Sequence, residues 1–200
     1  MIVTTLENRA GWILTGGRSS RMGTDKALME IEGRPLALRI AEELAKSCGS
    51  VSLVGDPALY GTLGLPVVRD TFPGQGPLAG IEAALGASSV DWNLIVACDM
   101  PALESVTIEP LFAGESLFGN FADCSVPEYA DGRLEPLCAV YRRRCHAAIR
   151  TAIESGIRRI TDALQYLRDE GFAIRYVRVA NRAPFANLNT PDEMRRYLNG

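Results

Sequence analysis

Residues 93–97 read Asn-Leu-Ile-Val-Ala, a strand-length apolar run without polar alternation. A strand with apolar side chains on both faces must be covered on both faces, as in a parallel sheet flanked by helices. The chain before it repeats strand, loop and helix. Residues 11–14 form a short apolar run that stops at Thr15-Gly16-Gly17. Pro35 opens a helix in which Leu36, Ile40 and Leu44 share one face, with Ala37, Ala41 and Ala45 beside them and Gly49 past its end. Residues 51–54 and 66–69 read as strands. Gly55-Asp56-Pro57 and a short helix to Leu63 separate them, and Asp70-Thr71-Phe72-Pro73-Gly74 closes the second. Residues 77–87, rich in small side chains, predict a helix that packs close to a sheet. The alternation implies a three-layer α/β/α fold with a mostly parallel sheet and right-handed crossovers.

The second half is less regular. Residues 124–128 and 135–141 flank the turn dipeptide Asp131-Gly132, so an antiparallel strand or hairpin is expected there. Residues 143–155 and 161–170 read as helices and 173–179 as a strand. Thr190-Pro191-Asp192-Glu193 carries the N-cap, N1 proline and capping-box acid of a helix start. No repeat or linker divides the chain, and its 200 residues predict one domain over 1–200. At 47% hydrophobic residues it can bury a core without disulfide or metal. A formal net charge of −3 argues against a dedicated nucleic-acid binder. No run approaches the ~20 apolar residues of a membrane helix. Neither a nucleic acid nor a membrane is therefore expected as a partner. Residues 1–10 lack the pattern of a secretory signal. The five cysteines (Cys48, Cys98, Cys124, Cys138, Cys145) show no metal-ligand spacing, which predicts free thiols in a reducing, cytoplasmic setting.

The chemistry concentrates in the loop after the first strand, Leu14-Thr15-Gly16-Gly17-Arg18-Ser19-Ser20-Arg21-Met22-Gly23-Thr24-Asp25-Lys26. Open α/β sheets bind ligands outside the carboxyl ends of their strands. Adjacent glycines let backbone amides approach an anion, Ser19 and Ser20 add hydroxyls, and Arg18, Arg21 and Lys26 add positive charge. This set suits a polyphosphate. The loop fits neither G-x-G-x-x-G nor G-x-x-x-x-G-K-[ST], which disfavours a Rossmann dehydrogenase and a P-loop NTPase. Asp99, directly after the apolar strand, is placed to hold Mg2+ together with substrate phosphates. Asp70 follows another strand and reaches the same rim, as a metal, water or substrate partner or as a simple loop-start residue. Gly76-Pro77-Leu78-Ala79-Gly80 leads into a helix whose amides could face an anion, or is a tight packing turn. Asn187 and Asn189 would share one side of an extended segment. The single histidine, His146, reads as a surface or helix-end residue, and Arg142-Arg143-Arg144 as a solvated face or a contact for an anionic ligand. A His-dependent triad is not expected. A phosphate-cradling loop, a strand-end aspartate and no protein nucleophile point to phosphoryl or nucleotidyl transfer.

The loop, with Ala27-Leu28, resembles the signature of the molybdenum cofactor guanylyltransferases, members of a nucleotidyltransferase superfamily marked by L-x-G-G-x-S-x-R-M-G-x-D-K. The similarity continues through Gly33-Arg34-Pro35-Leu36, Gly76 to Gly80, Cys98 to Pro101, Pro136-Leu137 and Asn187 to Pro191. It implies a Rossmann-like nucleotidyltransferase fold and transfer of GMP from GTP to the terminal phosphate of molybdenum-bound molybdopterin, with Mg2+ as cofactor and pyrophosphate released. By the same resemblance Leu14, Thr15, Gly16 and Gly17 contact the nucleotide, and Lys26 and Arg21 meet its phosphates. Asp70 and Asp99 lie at the nucleotide, Asp99 binds the metal, and Gly76, Pro77, Asn187 and Asn189 shape the pocket. Molybdoenzymes and other cofactor-biosynthesis proteins are the implied protein partners. Two departures stand out: Thr15 where the family commonly has alanine, and Gly55-Asp56 where some relatives carry an asparagine. The same machinery would also serve a cytidylyltransferase, a sugar-phosphate nucleotidyltransferase or a non-catalytic nucleotide-binding partner of molybdoenzymes.

Overall fold

The computed structural model describes residues 5–16, 25–113, 122–188, 193 and 197. Gly17, Arg18, Ser19, Ser20 and Arg21 of the first loop lie outside the described residues, as do Asn189 and the expected helix start at Thr190-Pro191-Asp192. In chain order the elements are β1 (Arg9–Leu14), β2 (Glu30–Ile31), β3 (Arg34–Pro35), α1 (Leu36–Ala45), β4 (Ser50–Val54), α2 (Pro57–Tyr60), β5 (Val67–Val68), α3 (Pro77–Ala87), β6 (Trp92–Ala97), α4 (Ser105–Phe112), β7 (Cys124–Tyr129), β8 (Cys138–Arg142), α5 (His146–Glu154), α6 (Ile160–Asp169) and β9 (Ile174–Val179).

Seven of these strands form one sheet in the order β5-β4-β1-β6-β8-β7-β9. Strands β5, β4, β1 and β6 are mutually parallel. The antiparallel strand expected in the second half is β8, which opposes both β6 and β7, while β7 pairs with β9 in parallel. The fold is thus the expected mostly parallel α/β arrangement. Its layers follow from burial. Ile13, Leu53, Leu94 and Val96 pack on one face with α1 and α4; Trp12, Leu14, Val54 and Ile95 pack on the other with α3, α5 and α6. Every residue of β1 is buried, and so are Trp92 to Val96 of β6, as the unalternating apolar run requires. Two glycines set the spacing of the layers. A Cβ on Gly11 would come within 2.9 Å of the Leu44 side chain, and one on Gly80 within 3.1 Å of Leu14, so α1 and α3 sit tight against β1.

The helix expected over 77–87 matches α3, and the stripe of α1 faces inward except that Ala45 is exposed. Helix α4 has no clear local signal, because Pro110 lies inside it. Its terminal carbonyls find a donor in a distant element: Arg175 of β9 donates to Pro110 O at 2.7 Å and Leu111 O at 3.1 Å. In the arginine run Arg143 and Arg144 are exposed, as a solvated face requires, but two of the three are paired. Arg142 pairs with Asp91 at 2.5 Å, and Arg144 with the buried carboxylate of Asp123.

The chain order positions the site. From β1 the strands step outward to β4 and β5, then the chain returns to the opposite side of β1 as β6. The carboxyl ends of β1 and β6 therefore flank a topological switch point, where loops leave in opposite directions and open a crevice. The segment after Leu14 and the Cys98-Asp99 turn stand on its two sides.

Candidate active site

Both sides of the crevice are anchored to the sheet. Thr15 continues β1: its backbone N–H donates to Val54 O at 3.0 Å, and its hydroxyl donates to the same oxygen at 2.8 Å. On the β6 side, the Cys98 N–H donates to Leu14 O at 3.2 Å. Asp99 is held through its own backbone, whose carbonyl accepts from Leu188 N–H at 2.9 Å.

Asp25 and Lys26 re-enter the site after the loop. Asp25 caps the single turn over Lys26–Leu28, accepting from Ala27 N–H at 3.0 Å through Oδ1. Its other oxygen accepts from the Tyr60 hydroxyl at 2.5 Å, and that hydroxyl also lies 3.2 Å from Thr15 O. Tyr60 thus ties Thr15 and Asp25, on either side of the glycine-rich segment, to the end of α2. Burial, then the adjacent Asp25 carboxylate, pushes its phenol well above the ordinary range, so it stays protonated and donates. Gly55 makes the approach possible, because a Cβ there would meet Thr15 Oγ1 at 2.2 Å and the Tyr60 ring at 2.6 Å.

Lys26 Nζ lies 3.2 Å from Asp99 Oδ2, with side-chain exposures of 17% and 18%. The second oxygen, Asp99 Oδ1, is buried and has no hydrogen-bond partner among the described residues. An ionised oxygen deprived of both water and protein donors is costly unless something else meets it. A cation fits that description, and one carboxylate with substrate phosphates and water is a common way to hold Mg2+. Among the described residues no group of three or more His, Cys, Asp or Glu side chains forms a metal cage. Lys26 and Asp99, both singled out by the sequence, meet in this bridge.

Asp70 is half-buried beyond the end of β5, and its Oδ1 accepts from Phe72 N–H at 2.8 Å. Burial raises its pKa, the Phe72 amide opposes this, and the negative charge of Glu82 adds to it. Gly76 and Pro77 start α3 on the exposed rim, and Gly76 has φ +82°, the left-handed region that glycine tolerates. Leu14 is buried beneath the site and Gly16 is exposed. Asn187 is exposed next to Leu188, which bonds to Asp99. Asp56 caps α2 through Ala58 N–H at 3.0 Å and pairs with Arg69 at 3.3 Å.

Sequence reasoning did not single out three residues here. Tyr60 sits in a short helix, and nothing local marks its contacts 35 and 45 positions away. Glu135 precedes Pro136-Leu137. Burial raises its carboxyl to about 6, the Tyr129 hydroxyl (3.3 Å) opposes this, and the negative charge of Asp99 adds to it. Glu82 is the third; its one local signal is a lone carboxylate on an apolar helix. Cys98, beside Asp99, is a resting thiol: burial and the nearby acids push it up to about 12.

This geometry has relatives. The model of the MobA-like NTP transferase domain matches residues 11–169. A probable molybdenum cofactor guanylyltransferase of Carboxydothermus hydrogenoformans is 38% identical over 145 residues, 72% of this chain and 71% of the relative. One from Trichormus variabilis is 32% identical over 193 residues, covering 94% and 90%. Among solved structures, molybdopterin-guanine dinucleotide biosynthesis protein A of Archaeoglobus fulgidus has a TM-score of 0.76 at 26% identity, covering 95% of this chain and 97% of that one. The fold and these matches define a nucleotidyltransferase. More narrowly, the chain belongs to the MobA-like family of molybdenum cofactor guanylyltransferases.

Proposed function

We propose that this enzyme transfers GMP from GTP to the terminal phosphate of molybdenum-bound molybdopterin, forming the guanine dinucleotide cofactor and releasing pyrophosphate. The observation that carries the reading is the Lys26–Asp99 bridge at the switch point, with Asp99 Oδ1 buried and unmet. The names of the relatives support the acceptor and the base. Leu14, Thr15, Gly16 and Gly17 line the nucleotide, with Asp70, Gly76 and Pro77 along its rim. Asn187 and Asn189 are assigned to shaping the pocket, Asn187 next to the Leu188 that bonds to Asp99. We further read residues 1–200 as one nucleotidyltransferase domain working in the cytoplasm, a setting that suits five free cysteines. Molybdoenzymes or other cofactor-biosynthesis proteins are the expected protein partners.

An acceptor phosphate oxygen attacks the α-phosphorus of GTP, a new P–O bond forms, and the bond to pyrophosphate breaks in line. The attacking oxygen is already anionic at neutral pH, so no side chain need remove a proton. Lys26 and Arg21 neutralise charge on the α-phosphate and the departing pyrophosphate. Asp99 would hold Mg2+, which supplies further neutralisation of the phosphates when bound. Thr15 and Tyr60 keep the loop in register with the strand ends.

Thermal unfolding with GTP, CTP, UTP or ATP, each with Mg2+, tests the base. A ligand at about 100 times its Kd adds about 2.7 kcal/mol to stability. GTP alone is expected to give that shift, and selective stabilisation by CTP would overturn the guanylyl reading.

A further inference from the structure

Glu82 is a carboxylate with no exposed surface on a helix whose other buried positions are apolar or glycine. Its Oε1 accepts from His146 Nε2 at 2.8 Å and from Arg150 Nε and Nη2 at 2.9 and 2.5 Å. His146 is therefore a part-buried ligand of this carboxylate and not simply a surface histidine. The ring reaches Glu82 because residue 86 is glycine, where a Cβ would come within 2.9 Å of Nε2. Glu82 Oε2 is buried and has no hydrogen-bond partner among the described residues.

For stability alone an apolar side chain would serve here, since replacing a buried ionic group by a well-packed hydrophobe is often neutral or favourable. The charge has another consequence, which lies in the segment joining β5 to α3. The Arg150 guanidinium sits 5.4 Å over the Phe72 ring. The Phe72 amide donates to Asp70, and Phe72 O accepts from Gln75 N–H at 3.1 Å. Burial pushes the Glu82 carboxyl up, but Thr71, His146 and Arg150 together hold it below the usual range, and its charge is felt at Asp70. One buried carboxylate thus grips α5, and through Arg150 and the Phe72 ring the segment carrying Asp70 and Gly76.

We propose that Glu82, gripped by Arg150 and His146, is a positioning residue that fixes the segment from Asp70 to Gly76 and so sets affinity for the nucleoside triphosphate. It acts without touching substrate. The inference rests on the reading that Asp70 and Gly76 border the nucleotide.

The test uses the full chain with Glu82→Leu, Glu82→Gln and Arg150→Lys. Arg150 is partly exposed, so its lysine variant keeps the test open if a Glu82 variant fails to fold. Amide exchange at Phe72 and Gln75, measured without nucleotide, is expected to quicken in each variant. The KM for GTP should rise about tenfold while kcat and the acceptor KM stay within about twofold. In an Asp70→Asn background the same changes should add little, because they act through that segment. Unaltered exchange, or a lowered Tm with the KM for GTP unmoved, overturns the positioning role and leaves Glu82 a packing residue. Wild-type protein that saturates with none of the four nucleoside triphosphates overturns the nucleotide reading and this inference together. Wild-type saturation with unmoved variants overturns this inference alone.

Discussion

Lys26 and Asp99, 73 positions apart in the chain, meet at 3.2 Å across the crevice between the carboxyl ends of β1 and β6. Both side chains are mostly buried, with exposures of 17% and 18%, so water screens the pair less than a surface bridge. It sets a basic and an acidic side chain side by side at the ends of β1 and β6. Replacing Lys26 with Ala should lower kcat/KM by about 10²–10³, the usual loss when a charge-neutralising donor is removed. Asp99→Asn keeps an acceptor for Lys26 but loses the charge a cation needs. Its Mg2+ titration should shift to higher concentration, with Tm nearly unchanged.

The Tyr60 hydroxyl joins Thr15 O to Asp25 Oδ2. Tyr60→Phe keeps the ring and deletes that link. Hydrogen bonds to charged groups contribute about 1.5–3 kcal/mol, and the loss should appear in urea unfolding. Because Asp25 caps the turn that carries Lys26, the KM for the nucleotide should rise as well.

Gly55→Ala places a methyl 2.2 Å from Thr15 Oγ1 and 2.6 Å from the Tyr60 ring. Overpacking of this kind costs about 1–3 kcal/mol. Thr15→Ala removes the nearer obstacle, so the double variant should lose less stability than Gly55→Ala alone. Equal losses would show that the Tyr60 ring, and not the threonine hydroxyl, sets the limit.

Glu135 gives a pH signature in the metal-free protein. Burial and the Asp99 charge raise its folded pKa from 4.5 to about 6, so the folded state binds the proton more tightly than the unfolded chain. Its contribution to stability is fully present below pH 4.5 and is lost as pH rises through about 6. Glu135→Gln cannot titrate. Plotted against pH from 4 to 7, the Tm difference between variant and wild type should grow in favour of the variant across that window.

Much of this was legible from residue patterns because the features are local. The bounds of α3 follow from Pro77, small residues and a turn glycine, and the core strand β6 follows from an apolar run without alternation. Asp99 is legible because a parallel strand delivers its next residue to the ligand rim. The rest depends on long-range approach. Helix α4 contains Pro110 and finds an end partner in Arg175, 65 positions away. Tyr60 has an unremarkable local sequence, and its role exists only because Gly55 lets it reach Thr15 and Asp25. His146 stands at a helix end as its sequence context suggests, but its bond to Glu82, like those of Arg142 to Asp91 and Arg144 to Asp123, joins residues 64, 51 and 21 positions apart that no local pattern links. The meeting of Lys26 with Asp99 required the strand order itself.

Guanylyl transfer at the Lys26–Asp99 crevice would release one pyrophosphate for each GMP moved. Its most direct measurement is pyrophosphate release with Mg2+, with and without molybdenum-bound molybdopterin, for GTP and for CTP. Release that requires the acceptor, prefers GTP and collapses in Lys26→Ala is the predicted result. Release that prefers CTP, or GTP binding with no acceptor-dependent release, would contradict it.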